Sequence, residues 1–378
     1  MPDFNIDALT AAFSSATEKA RKDLGSINIL VTGLAGVGKS TLINSVFGEN
    51  VAATGVGASQ TQEIRGHKLP NSPLTLYDTP GFEISRSEQT VGAINDCIRQ
   101  KRNSPDQDNQ IHIAWTCILE QSHRIEPVHK TLLSLLRRYA VPSIVVITQT
   151  LGDLEMQEKV RELAIPHDEV VPVLALQKSI AGHLLPAEGV GNLIDSTLRL
   201  LPNAHRSAFI SAQRARWDLK EAEIKKVINR TAALGGASAL LPIPGGHSVA
   251  LIALQLEMIA EINVLLGLAL TDIASKELAG ALAGVMVARV GGQQAFAMGI
   301  SEALKFFPGI GWVGAAMIGG PIGAATTKAF GHLYYNSVVD YAKHEQPLPS
   351  VDDLLKRMNE NFQAHRDGYE ALAKEPEQ

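Results

Sequence analysis

The sequence predicts an α/β domain with a mostly parallel central sheet and helices on both faces, followed by an all-α, Gly/Ala-rich C-terminal domain. Three observations carry this expectation. Between residues 27 and 201, short apolar β-rich runs alternate with helical stretches, the pattern of strand–helix–strand units. A glycine-rich loop ending in Lys-Ser-Thr stands at the first strand-to-helix turn. Further on, segments 231–256 and 306–327 run for 26 and 22 residues without Asp, Glu, Lys or Arg.

In chain order, Ile6, Leu9, Ala12, Phe13 and Ala16 recur at helical spacing and Gly25 closes the segment, so residues 1–25 read as an N-terminal helix packed on the domain that follows. The segment has neither the basic start nor the apolar run of a secretory signal. Strands are expected at 27–32, 74–77, 111–118, 143–148 and 170–175. Helices are expected at 40–47, 87–102, 127–139 and 156–163, with another after Gly189. Leu201-Pro202-Asn203 is turn-forming punctuation, which places the end of the first domain, 26–202, there.

The chemistry lies in the loop Gly33-Leu34-Ala35-Gly36-Val37-Gly38-Lys39-Ser40-Thr41, after a strand and opening a helix. Its glycines let successive backbone N–H groups turn inward toward an anion, and the helix N-terminus adds partial positive charge. In such a phosphate-binding loop Lys39 bridges phosphates and Ser40 ligates magnesium. A second element, Asp78-Thr79-Pro80-Gly81, ends an apolar run. Its carboxylate can hold magnesium through water, and the Gly81 N–H can contact a γ phosphate. The Gly-, Ala- and Thr-rich loop 50–65 between them offers a threonine hydroxyl to the same ion. Thr61 fits better than Thr54, which stands only seven residues beyond the first helix.

Together GLAGVGKST, Thr61, DTPG and the strand IHIAWTCI resemble the G domain of Ras-like (TRAFAC-class) GTPases, and within that group the chain is similar to the Era-related and interferon-inducible types. The resemblance implies a P-loop GTPase fold over residues 27 to about 200, binding of GTP and GDP with Mg2+, and slow hydrolysis of GTP to GDP. Lys39, Thr61 and Gly81 then carry catalysis, and Ser40, Thr61 and Asp78 hold the metal.

Three departures from the pattern matter. Phe82 follows DTPG where Ras-like enzymes carry a water-orienting glutamine, and its side chain cannot hydrogen-bond. Gly36 replaces the loop asparagine associated with potassium activation and resembles septin-like GTPases, which implies dimerisation across the nucleotide face. The guanine-reading motif is degenerate: Thr148 and Gln149 occupy its first two positions, but Leu151 stands at the aspartate position. Asp153, two residues later, either reads guanine or caps the next helix. The later Ser-Ala-Lys-like element is Leu174-Ala175-Leu176.

The remainder reads as an apolar helical domain, 203–346, and a terminal helix and tail, 347–378. Residues 207–230 read as one long amphipathic helix, with Lys225, Lys226 and Arg230 on a solvated face beside Glu221 and Glu223. Both charge-free stretches are long enough to span a bilayer, but their Gly and Pro residues predict short helices around turns. Ser350 with Asp353 predicts a capping box opening a helix to about Ala373. Over about 205–345 the chain resembles an uncharacterised helical domain that often follows GTPase domains in bacteria and is sometimes membrane-associated.

Composition narrows the partners. Charged residues are 19% of the chain and net charge is −5, with neither half basic, so a broad nucleic-acid surface is not expected. Two cysteines, Cys97 and Cys117, form no disulfide framework and fit a reducing cytoplasm. The expected partners are a guanine nucleotide and further copies of the chain, as a homodimer or larger assembly, with a membrane as the alternative surface.

Overall fold

The computed structural model describes residues 6–48, 51–52, 64, 66–79, 87–152, 155–162, 166–238, 246–268, 277, 320–365 and 367–368. The chain divides into two compact units, residues 24–217 and residues 1–23 with 218–378.

The first unit is built on six strands: β1 (Ile27–Gly33), β2 (Gly66–Lys68), β3 (Leu74–Asp78), β4 (Ile113–Leu119), β5 (Ser143–Thr148) and β6 (Glu169–Val173), in the order β2-β3-β1-β4-β5-β6. All neighbours are parallel except β2, an antiparallel edge strand on β3. Helices α2 (Lys39–Phe47), α3 (Ser87–Arg102), α4 (Pro127–Arg138), α5 (Glu155–Glu162), α6 (Val190–Leu200) and α7 (Asn203–Ala212) complete it. Every residue of β1 and β5 is buried, as expected for central strands covered on both faces. The expected elements of this unit appear within one or two residues. Sequence patterning missed β2 and the hairpin β7 (Lys178–Ile180) and β8 (His183–Leu185), which are three residues each and too short to show a period.

Alternation sorts the side chains onto two cores. Leu30, Ala114 and Ile118 face one way and pack with Ile94 and Ile98 of α3 and Leu132 and Leu136 of α4. Trp115 faces the other way. It stacks on Phe47 of α2 at 5.8 Å and 9°, meets the edge of Phe209 of α7 at 6.5 Å, and donates its indole N–H to Thr197 Oγ1 of α6 at 3.1 Å.

Two sequence expectations change here. The single helix over 207–230 is broken: α7 ends at Ala212 and α8 (Trp217–Ser238) begins five residues later. The break is built by Gln213, fully buried, whose carboxamide accepts from the Arg216 N–H and donates to the Arg216 carbonyl, both at 2.8 Å. The Arg214 N–H donates to Val46 O of α2 at 2.7 Å. These bonds stand in for those a continuous helix would make. The sheet-bearing unit accordingly extends to Trp217, past the punctuation at Pro202, because Phe209 completes its aromatic core.

The second unit holds α1 (Ile6–Leu24) apart from its last residue, nearly all of α8, and α9 (Gly246–Leu266), α10 (Gly320–Lys343) and α11 (Val351–Ala364). Grouping α1 here departs from the expectation that it packs on the domain after it. Its stripe of Phe13, Ala16 and Ala20 is buried. Helix α10 packs on α9 and α11. At Gly331 any side chain would come within 3 Å of Ile228 and Met258, so glycine sets how closely three helices approach. Gln255 donates to Thr327 at 3.2 Å and the Tyr334 hydroxyl to Asn263 at 2.8 Å, satisfying polar groups inside an apolar unit.

The described parts of the charge-free stretches lie in helices: residues 231–238 in α8 and 246–256 in α9 for the first, and 320–327 in α10 for the second. Residues 239–245 and 306–319 lie outside the described residues. Among the described residues, no helix is long and apolar enough to cross a membrane. Lys225 and Lys226 pair with Glu221 and Glu223, and Arg230 with Glu261. Ser350 caps α11, accepting from the Asp353 N–H at 3.2 Å; the helix runs to Ala364 rather than Ala373, where the described residues have ended.

Candidate nucleotide site

The phosphate loop forms where β1 ends against β4. A Cβ at Gly33 would lie 2.5 Å from the Cys117 carbonyl, so a side chain there would force the two strands apart. Gly38 sits at φ +94° in the left-handed region and caps α2, letting the chain turn from loop into helix within one residue. Ala35 and Gly36 are exposed at the crest, Val37 is buried beneath, and Ser40 and Thr41 lie half-buried in the first turn of α2.

Lys39 is buried, and its Nζ donates to the carbonyls of Gly33 and Leu34, each at 3.1 Å. The ammonium thus lies folded over the loop. Burial holds its pKa below the usual lysine value, against the opposing pull of Asp78 and Cys117. Asp78, at the end of β3 where β3 pairs with Val31 of β1, has the reverse balance: burial raises its carboxyl and Lys39 lowers it. Among the described residues its Oδ1 is buried without a hydrogen-bond partner. The Thr79 N–H donates to Val31 O at 3.1 Å, so this strand end is fixed beside the loop. Burial pushes the Cys117 thiol up to about 12, which leaves it inert at neutral pH.

On the other side of the loop, Thr148 at the end of β5 donates to the Val37 carbonyl at 2.6 Å. The turn after it is shaped by β4. The buried Glu120 accepts from the Thr150 hydroxyl and, at 2.6 Å, from the Leu151 N–H, while Gln121 donates to the Gln149 carbonyl at 2.6 Å. Gln149 takes φ +55° there. Between these segments lies a cavity of about 250 Å³ lined by Gly38, Thr41, Thr148, Gln149, Leu174–Leu176 and Lys178, among others. Leu176, in its lining, is 62% exposed, and Leu184, on β8, is 64% exposed.

The structure therefore brings together Gly33, Ala35, Gly36, Val37, Gly38, Lys39, Ser40, Thr41, Asp78, Thr148 and Gln149 at the C-terminal edge of the parallel sheet, where open α/β folds bind ligands. Thr61, Gly81, Phe82 and Asp153 lie outside the described residues. Sequence reading missed Glu120 and Gln121. The available signal was a carboxylate directly ending the apolar strand 113–119 at this same edge. Among the described residues no cluster of three or more His, Cys, Asp or Glu side chains is arranged to hold a metal.

A family model described as 50S ribosome-binding GTPase matches residues 28–149. The chain is 37% identical over 94 residues to translocase of chloroplast 159 from Arabidopsis thaliana, covering 24% of this chain and 6% of that protein. It is 28% identical over 123 residues to the probable GTP-binding protein EngB of Kosmotoga olearia, covering 32% and 62%. It is also 28% identical over 235 residues to GTPase Era of Mycobacterium leprae, covering 59% and 70%. The first two alignments span less than two thirds of those relatives' own length. Loop, strand order and sequence similarity converge: the segment 28–149 belongs to the Ras-like class of P-loop GTPase domains.

Proposed function

We propose that this chain binds GTP, hydrolyses it to GDP with Mg2+, and acts as a nucleotide-dependent switch. The observation that carries the reading is the pair of buried Lys39 and half-buried Asp78, whose charges act on each other beside the end of β1. One is a cation held over a glycine-rich loop; the other is a carboxylate with an unpartnered oxygen. Lys39 and the loop N–H groups from Gly33 to Thr41 bind the phosphates and stabilise the charge that develops during transfer to water. The orphaned Asp78 Oδ1 and the Ser40 hydroxyl in the first turn of α2 suit a hydrated divalent cation, with Thr61 as a further ligand. Magnesium, when bound, supplies charge neutralisation between phosphates.

Gly81 and Thr61 are the contacts that report the γ phosphate, and their closure repositions the helical unit. Thr148 and Gln149 form the base side of the site, and Asp153 either joins them or caps the helix that follows. Because Phe82 offers no hydrogen bond to an attacking water, turnover depends on assembly, and the exposed Leu176 at the pocket gives a second copy an apolar side chain to cover. The chain then works in the cytoplasm as a homodimer or larger assembly, with its helical unit as the contact to a partner or a membrane. Phe82 also supports a second reading, a nucleotide-binding scaffold that self-associates without turnover.

GTP hydrolysis measured over a series of protein concentrations, with and without liposomes, separates them. Specific activity that rises with concentration or lipid supports the assembling switch. Flat, near-zero turnover with GTP bound leaves the scaffold, and absence of GTP binding removes both.

A further inference from the structure

Among the described residues, the base end of the pocket is lined by carboxamides and an amine, and the carboxylate in the turn after β4 is already spent. Both oxygens of buried Glu120 are engaged by the loop itself, one by the Thr150 hydroxyl and one by the Leu151 N–H. Leu151 is 42% exposed and is not among the residues lining the cavity. Among the described residues, the polar side chains that line it beyond the phosphate loop are Thr148, Gln149, Gln177 and Lys178. Thr148 is committed to Val37 O, so its hydroxyl hydrogen is unavailable to a ligand.

Gln149 is set for a different task. Its backbone is fixed in the left-handed region at φ +55°, and Gln121 donates to its carbonyl at 2.6 Å. Its Nε2 lies 3.7 Å, and its Cγ 4.0 Å, from where a Cβ on Gly38 would stand, so the side chain crosses the floor of the cavity against the last glycine of the loop. A carboxamide carries a donor and an acceptor. Turned one way it donates to the O6 of guanine; turned the other it accepts from the N6 amine of adenine. A site that reads its ligand with an acceptor alone rejects a base lacking the matching donor by orders of magnitude, whereas an amide that can turn over meets the O6 of one base and the N6 amine of the other equally well.

We propose that Gln149 is the base-facing residue of this site and that it admits purine nucleoside triphosphates of both kinds, with Glu120 and Gln121 as the residues that position it. The proposal rests on the nucleotide-binding reading of the phosphate loop.

The test is titration calorimetry of the full-length protein with GTP and with ATP, each with Mg2+, on the wild type and on Gln149→Ala, Asp153→Asn and Lys39→Ala. The expected result is a GTP and an ATP Kd within about tenfold of each other. Gln149→Ala should weaken both by a similar factor, and Asp153→Asn should change their ratio less than about twofold. A GTP preference above about a hundredfold overturns the proposal, as does a loss of GTP but not ATP affinity in Asp153→Asn, which makes that carboxylate the guanine reader. Failure of the underlying reading looks different: wild type binding neither nucleotide, or Lys39→Ala binding both as tightly as wild type.

Discussion

The Thr148 hydroxyl donates to the Val37 carbonyl at 2.6 Å, so the end of β5 grips the phosphate loop that begins two strands away. The Ile118 carbonyl stands 3.2 Å from the same hydroxyl, which ties β4 into the contact. One side chain thus sets the spacing between the phosphate end and the base end of the pocket. Thr148→Val keeps the shape and removes the donor, leaving a buried carbonyl unpaired at a cost of about 1–3 kcal/mol. We expect lower stability in urea unfolding and nucleotide affinity down severalfold, with Thr148→Ser restoring most of both. Unaltered affinity in the valine variant would show that the loop holds its form without β5.

Lys39, buried, and Asp78, half-buried, act on each other's charge but should separate under mutation. Lys39→Ala removes a cation whose hydrogen bonds among the described residues go to loop carbonyls, so the protein should stay folded while losing most of its nucleotide affinity. Asp78→Asn removes the charge beside the proposed metal position. It should weaken affinity measured with Mg2+ more than affinity measured in a chelator. Equal losses in both conditions would reduce Asp78 to a structural role.

The domain end can be tested by length. A fragment ending at residue 202 lacks α7, and with it Phe209, which is fully buried against Phe47 and Trp115. We expect the fragment 24–217 to unfold cooperatively and 24–202 to aggregate or melt much earlier. In the full chain Phe209→Ala should cost about 3–5 kcal/mol. Equal thermal stability of the two fragments would place the boundary at Pro202 after all.

Acid sensitivity should come in part from His129 at the start of α4. Its Nδ1 accepts from the Glu126 N–H at 3.2 Å within a capping box, and burial pulls its pKa from 6.5 down to about 4. The folded state therefore binds fewer protons than the unfolded chain between those values, so stability falls as pH drops from about 6.5 toward about 4. At 1.36 kcal/mol per pKa unit the full effect is about 3 kcal/mol. His129→Gln retains an acceptor for the cap but does not titrate. Comparing urea midpoints at neutral and acidic pH should show a smaller loss in the variant; parallel losses would remove His129 as the cause.

What the sequence by itself determined is local and periodic. The alternation over 27–201 requires a parallel sheet covered on both faces, the glycines of 33–38 require a turn that presents backbone N–H groups, and Ser350 requires a helix start. Each is decided by residues within a few positions of one another, where sterics and short-range hydrogen bonds act. Tertiary structure alone decided the rest. Gln213 breaks a helix that its neighbours' periodicity would continue, because its buried amide replaces the lost backbone bonds and α2 supplies a carbonyl to Arg214. Phe209 joins the first unit because Trp115 and Phe47, distant in sequence, leave an aromatic surface for it to cover. Glu120 organises the turn at 149–151, thirty residues ahead, since parallel strands place their C-terminal ends side by side. Contacts that cross such separations leave no period in the chain, and they decide which side chains face the ligand.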